Sequence, residues 1–132
     1  MRRELLWLTL TVVMTGLMWV PYILDRMAVR GMMGTLANPS SADAPQSPWA
    51  QRLMAAHMNA IENLVIFAPL VVVTQLLNIS TRVTAFACAL YFWSRLAHAI
   101  VYTMGSPVVR TLAFVGGFAA QVILVLAIFR LV

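Results

Sequence analysis

The stretch "AAHMNAIENLVIFAPLVVVTQLL", residues 55–77, decides the fold. From Leu64 onward its only polar side chains are Thr74 and Gln75, whereas its first half carries His57, Asn59, Glu62 and Asn63. Taken as a helix rising about 1.5 Å per residue, it is long enough to cross a hydrocarbon core of about 30 Å. An ionised carboxylate at that depth costs several kcal/mol unless it is paired, so Glu62 in a membrane helix is by default a functional-site hypothesis.

The rest of the chain has the composition of a membrane protein. Of 132 residues, 62% are hydrophobic and 10% charged, and the mean hydropathy of +0.88 lies well above that of soluble globular proteins. The length corresponds to a single domain, residues 1–132. The net charge of +5 comes from nine arginines and no lysine. On this apolar background it points to charges at membrane edges, and it argues against a nucleic-acid partner because no basic cluster is interleaved with aromatics. The single cysteine, Cys88, sits in an apolar run and allows no disulfide within the chain.

Working outward, four apolar segments emerge, over about residues 5–24, 48–77, 82–104 and 107–131. Each is near the roughly 20 residues of a spanning helix. Turn chemistry separates them: "NPSSADAPQSP" (38–48), "NIST" (78–81) and "GSP" (105–107). Ser47-Pro48 and Ser106-Pro107 each predict an N-cap followed by proline at the first helical position. The fold class is therefore all-α, an up-down four-helix integral-membrane bundle. A cleaved signal peptide is disfavoured, because the first apolar run is too long and "ADA" (42–44) lies about 20 residues beyond its end. Orientation stays undetermined: Arg26, Arg30, Arg52 and Arg110 flank one membrane side, and Arg2, Arg3, Arg82 and Arg130 the other.

At about 100° per residue, Asn59, Glu62 and Asn63 fall on one face of the second segment, with Arg52 on the same face two turns earlier and His57 nearly opposite. The third segment repeats the pattern with Tyr91, Arg95, His98 and Tyr102 at spacings of four, three and four, while Trp93 faces away toward lipid. Glu62 and Arg95 lie at matching depth, about 15 Å from the side shared by the first and third loops. Their pairing would lower the burial cost, and the polar residues are expected to converge on a pocket open toward Arg52 and Arg110. The bland counterpart is that the same groups serve as interhelical glue. His57 is expected to make a helix contact, Cys88 and the nine methionines to fill space, Gly116-Gly117 to permit close helix approach, and Pro69 to kink its helix. Metal-ligand spacing, phosphate loops and a Ser/His/Asp arrangement are absent.

"AAHMNAIENL" followed by "FAP", then "RLAHAIVY" and "SPVVRTLAF", resembles the MAPEG family, the membrane-associated proteins of eicosanoid and glutathione metabolism, particularly its short bacterial members. The resemblance covers essentially the whole chain. It implies a bacterial inner-membrane protein, a homotrimer of four-helix subunits, and glutathione as co-substrate held between neighbouring subunits on the side of the first and third loops. The Glu62–Arg95 pairing then lies either within one chain or between two.

Residue by residue, the resemblance gives Asn59 and Glu62 the task of holding the glutathione backbone and amino group. Asn63 matches the "EN" ending of the microsomal glutathione transferases. Arg95 and Tyr102 match the third-helix arginine and later tyrosine, with Ala97 and His98 where an intermediate tyrosine is common. Arg110 matches the arginine that stabilises the glutathione thiolate, the catalytic role. Ala55 stands where the family has an arginine, and Arg52 on the same face is the candidate substitute. The implied function is a glutathione-binding membrane protein that conjugates or reduces lipophilic electrophiles or hydroperoxides with the thiolate. The alternative is a non-catalytic relative, such as an accessory subunit packed against a larger membrane complex.

Overall fold

The computed structural model describes residues 1–132 as five helices and no strand: α1 (Arg3–Leu17), α2 (Trp19–Leu36), α3 (Pro48–Leu76), α4 (Arg82–Met104) and α5 (Pro107–Ile128). α1 and α2 form one 34-residue rod, so four helices are long and apolar enough to cross a membrane. The rod is interrupted at Met18, whose N–H bonds the Thr15 carbonyl at 3.4 Å, three residues back. Pro21 accounts for this: it has no N–H to offer the Leu17 carbonyl four residues earlier.

The expected end of the first helix at Leu24 is corrected, since the rod continues to Leu36. At about 1.5 Å per residue its continuous part, from Arg3 to the kink at Gly31, measures about 42 Å, more than the hydrocarbon thickness, and its excess is anchored by the loop that follows. Asp25 accepts hydrogen bonds from the Ser47 hydroxyl, from the Ser47 N–H at 3.0 Å and from Gln46 Nε2 at 3.2 Å. Arg26 Nε donates to Gln46 Oε1 at 3.0 Å, and Arg30 donates to the Ala44 carbonyl at 2.9 Å while pairing with Asp43 at 3.3 Å. Gly31, at φ 70° and ψ 174°, then turns the last segment in a conformation open to a residue without Cβ.

α3 and α5 do begin with proline at the first turn, but neither Ser47 nor Ser106 caps with its side chain. The Ser47 hydroxyl is engaged by Asp25, which removes it from the α3 N–H groups. α4 instead has a full capping box, Thr81 and Thr84 each bonding the other's backbone N–H, and ends on Gly105 at φ 82°. Pro69 lies inside an unbroken α3.

α4 is the hub, packing against α1, α3 and α5. The main core joins Phe67 and Val71 of α3, Ala87, Cys88 and Tyr91 of α4, and Ala120 and Leu124 of α5, with the Phe67 and Tyr91 rings stacked at 3.7 Å. Closeness of α4 to α5 depends on glycine: a Cβ at Gly116 would stand 2.6 Å from Ser94 Oγ, and one at Gly117 3.3 Å from Arg95 Cδ. Only 24 of 132 residues are buried, while Val65, Phe86, Leu112 and Phe118 are more than half exposed. In water such apolar coverage would drive aggregation; in a bilayer it is the lipid-facing surface.

Candidate functional site

Near the Gly105 end of α4, three helices enclose a cleft of ≈ 310 Å³ lined by Asn59 of α3, His98 and Tyr102 of α4, and Arg110, Thr111 and Phe114 of α5. Four of the residues singled out in the sequence, Asn59, His98, Tyr102 and Arg110, thus meet in one place. Their positions follow from local structure. His98 and Tyr102 are one turn apart on α4, with rings 5.5 Å apart, and His98 also lies 6.3 Å from the Phe114 ring. The turn at Gly105–Ser106 reverses the chain so that Arg110, in the first turn of α5, places its guanidinium 4.3 Å from the Tyr102 ring centroid. That contact is a cation–π interaction, and it leaves the charge of Arg110 unneutralised by any carboxylate of the chain.

Arg95 sits behind this cleft. Its side chain is 3% exposed, and Nη2 donates to Asn59 Oδ1 at 2.6 Å and, weakly, to His98 Nδ1 at 3.5 Å. Nε and Nη1 are buried with no partner in the chain. Gly117 makes the burial possible by letting the arginine stem lie against α5. Asn63 supports Asn59 from one turn further, its Nδ2 donating to the Asn59 carbonyl at 2.9 Å and to Oδ1 at 3.4 Å. Gln121 of α5 donates to the Asn63 carbonyl at 3.3 Å, extending the network across to a third helix. The sequence reading missed Gln121, Thr111 and Phe114; for Gln121 the available signal was a lone amide in the most apolar helix.

Two expectations are corrected. Glu62 does not pair with Arg95 within the chain: it is exposed on α3, and the chain's one ion pair is Arg30–Asp43. Asn59 lies between the two faces and takes the arginine itself. Arg52 does not reach up toward the level of Ala55; its Nε donates to the Thr103 carbonyl at 2.8 Å, and its guanidinium lies over Gly105. It therefore satisfies the C-terminal end of α4, where orphan carbonyls and the helix dipole favour a cation. His57, as expected, makes a helix contact, with Nδ1 2.9 Å from the Tyr22 hydroxyl.

The arrangement presents one fixed cation at the cleft, a second cation behind it with two free donors, and amide and aromatic groups between them. Such a set suits a small anionic molecule with polar backbone groups, whose most negative atom would sit at Arg110. No group of three or more His, Cys, Asp or Glu side chains is placed to hold a metal.

Neither a curated protein nor a solved structure matches the chain. A family model does, over residues 5–130, and with the four apolar helices it identifies the chain as an integral-membrane member of the MAPEG family, the family of glutathione and eicosanoid metabolism.

Proposed function

We propose that this protein binds glutathione at the Asn59–His98–Tyr102–Arg110 cleft, stabilises the thiolate with Arg110, and delivers it to a lipophilic electrophile or hydroperoxide arriving from the bilayer. The observation that carries the reading is the convergence of these four residues, from three helices, on one cleft at the loop side of the bundle. A guanidinium beside the sulfur favours the charged form, which makes the nucleophile at neutral pH. Asn59, which lines the cleft, is suited to the amide groups of the tripeptide, and the buried Arg95 behind it fixes the Asn59 side chain. Glu62, exposed on its helix, is available to the glutathione amino group or to a neighbouring subunit, and the expected homotrimer supplies that neighbour.

A second reading has its own support. Ala55 gives no charge where the family has an arginine, and Arg52 is engaged at the α4 terminus. Loss of one charge-assisted contact removes about 1.5 to 3 kcal/mol of binding, ten- to a hundredfold in affinity, which fits a non-catalytic subunit that keeps the network for packing. Calorimetry with purified protein and glutathione, together with the ultraviolet absorption of the thiolate, separates the two. The catalytic reading expects binding, a thiolate band at neutral pH, and loss of that band in Arg110→Ala with affinity largely kept. A well-folded protein with neither binding nor band refutes it.

A further inference from the structure

At the opposite end of the bundle, Arg3 and Arg82 stand in the first turns of α1 and α4, which enter the membrane from the same side. Both side chains are exposed, and neither takes part in the chain's one ion pair. They border two adjoining cavities. The outer one, ≈ 440 Å³, is polar and is also bounded by Arg2, Ser80 and Thr81. The inner one, ≈ 580 Å³, shares Arg3, Arg82 and Ala85 and is otherwise walled by Leu6, Trp7, Phe86 and Ala89.

The carboxylate at the outer cavity, Glu4, does not neutralise the arginines. It is 1% exposed, and its oxygens take the hydroxyl of Thr84 at 2.6 Å and that of Ser80 at 3.0 and 3.1 Å. Below, the Trp7 ring packs against Phe92 and Trp93 at 5.4 and 6.3 Å, which gives the apolar groove a rigid aromatic wall. Leu6, Trp7, Phe86 and Ala89 follow the arginines by three to seven residues, so the groove begins within about 5 to 10 Å beneath them along the helix axes.

A cationic collar directly above an apolar groove is complementary to an amphiphile with a negative head. We propose that the α1/α4 groove binds an anionic phospholipid, its phosphate held by Arg3 and Arg82 and an acyl chain lying along Leu6, Trp7, Phe86 and Ala89. Guanidinium forks match phosphate oxygens in pairs, whereas a zwitterionic lipid brings its own cation into the collar and gains less. The site lies at the opposite end of α4 from the Arg110 cleft and is independent of the glutathione reading.

The test uses the full chain in mixed micelles, with phosphatidylglycerol and phosphatidylcholine as probes and retained lipid counted by native mass spectrometry. Wild type is expected to retain phosphatidylglycerol in preference to phosphatidylcholine. Arg3→Gln and Arg82→Gln should each reduce that preference by on the order of fivefold. Ala89→Trp should reduce it with both arginines in place, and Arg130→Gln, on the same membrane side but outside both cavities, should leave it unchanged. Soluble glycerol phosphate should not displace the lipid. Equal retention of the two lipids by wild type, or an Arg130→Gln effect as large as that of Arg82→Gln, overturns the proposal in favour of diffuse surface charge or a groove covered by another copy. Displacement by glycerol phosphate overturns the role of the groove. Unfolding midpoints in phosphatidylcholine check that the variants fold, and Arg82→Lys, which keeps the charge, should retain part of the preference.

Discussion

Asn59→Ala tests the network behind the cleft. The substitution removes the 2.6 Å acceptor of Arg95 Nη2, and Nε and Nη1 have no other partner to compensate, so the buried guanidinium keeps only the 3.5 Å approach to His98. Interhelical hydrogen bonds in membrane proteins average about 0.6 kcal/mol with a maximum near 1.7. Bonds to charged groups in general contribute about 1.5 to 3 kcal/mol. With Arg95 at 3% exposure and otherwise poorly satisfied, the loss should sit where these ranges meet, at about 1.6 kcal/mol. Unfolding in mixed micelles by added denaturing detergent reads this directly. Arg95→Met removes the buried cation along with its need for partners, and replacing buried charge by apolar groups is often neutral or stabilising. In that background Asn59→Ala should therefore cost less than about 0.5 kcal/mol, a coupling of at least about 1 kcal/mol in the double-mutant cycle. Asn59→Asp, which restores an acceptor, should recover most of the stability in the Arg95 chain. Additive effects of the two substitutions, or an Asn59→Ala as stable as wild type, would show that the bond carries no energy.

Two further outcomes follow from the helix contacts. Gly116→Ala should destabilise by about 1 kcal/mol, because its Cβ falls 2.6 Å from Ser94 Oγ, and Ser94→Ala in the same chain should remove the cost; an unrescued loss would place the strain elsewhere. Asp25→Ala releases three donors of the 46–47 segment and should cost about 1.5 to 3 kcal/mol, with faster proteolysis within residues 37–47 as its local signature, whereas Asp43→Asn at the half-buried pair with Arg30, near the protein surface, should change stability by about 1 kcal/mol or less.

What was legible in the sequence is what local chemistry determines. Pro48 and Pro107 mark the starts of α3 and α5, Gly105 ends α4, and the spacing of Arg95, His98 and Tyr102 is a property of one helix, so each was readable without knowing its neighbours. The extension of the first rod to Leu36 was not, because "DRMAVRGMMGTL" (25–36) reads as a polar helix end followed by glycine breakers. Its order comes from bonds to Asp43, Ala44, Gln46 and Ser47 across the loop. Burial of Glu4 depends on Ser80 and Thr84, more than seventy residues away. The Glu62–Arg95 pairing within one chain is not formed for a related reason: periodicity places both residues at the right depth on polar faces but does not say how far α3 is rotated about its own axis toward α4. The observed rotation presents Asn59, one turn earlier, to the arginine and leaves Glu62 outside.

The distribution of unsatisfied charge in the folded chain bears on which functional reading is stronger. Three of the four acids are provided for within the chain: Glu4 by two hydroxyls, Asp25 by Ser47 and Gln46, Asp43 by Arg30. Glu62, Arg95 and Arg110 are not, and all three lie on the helices that form the cleft. Buried donors without partners cost about 1 to 3 kcal/mol each, and a bundle held together only by packing loses nothing when apolar groups replace them. A network kept for adhesion would therefore be expected to satisfy Arg95 fully, as Glu4 is satisfied at the other end. A buried arginine left with two open donors directly behind a cleft is instead what a site has before its ligand or a neighbouring subunit arrives. Arg95→Met makes the two cases separable: a variant as stable as wild type that has lost glutathione binding would locate the need for the arginine in the ligand, and one that loses stability in step with binding would return it to the packing of α3 against α4.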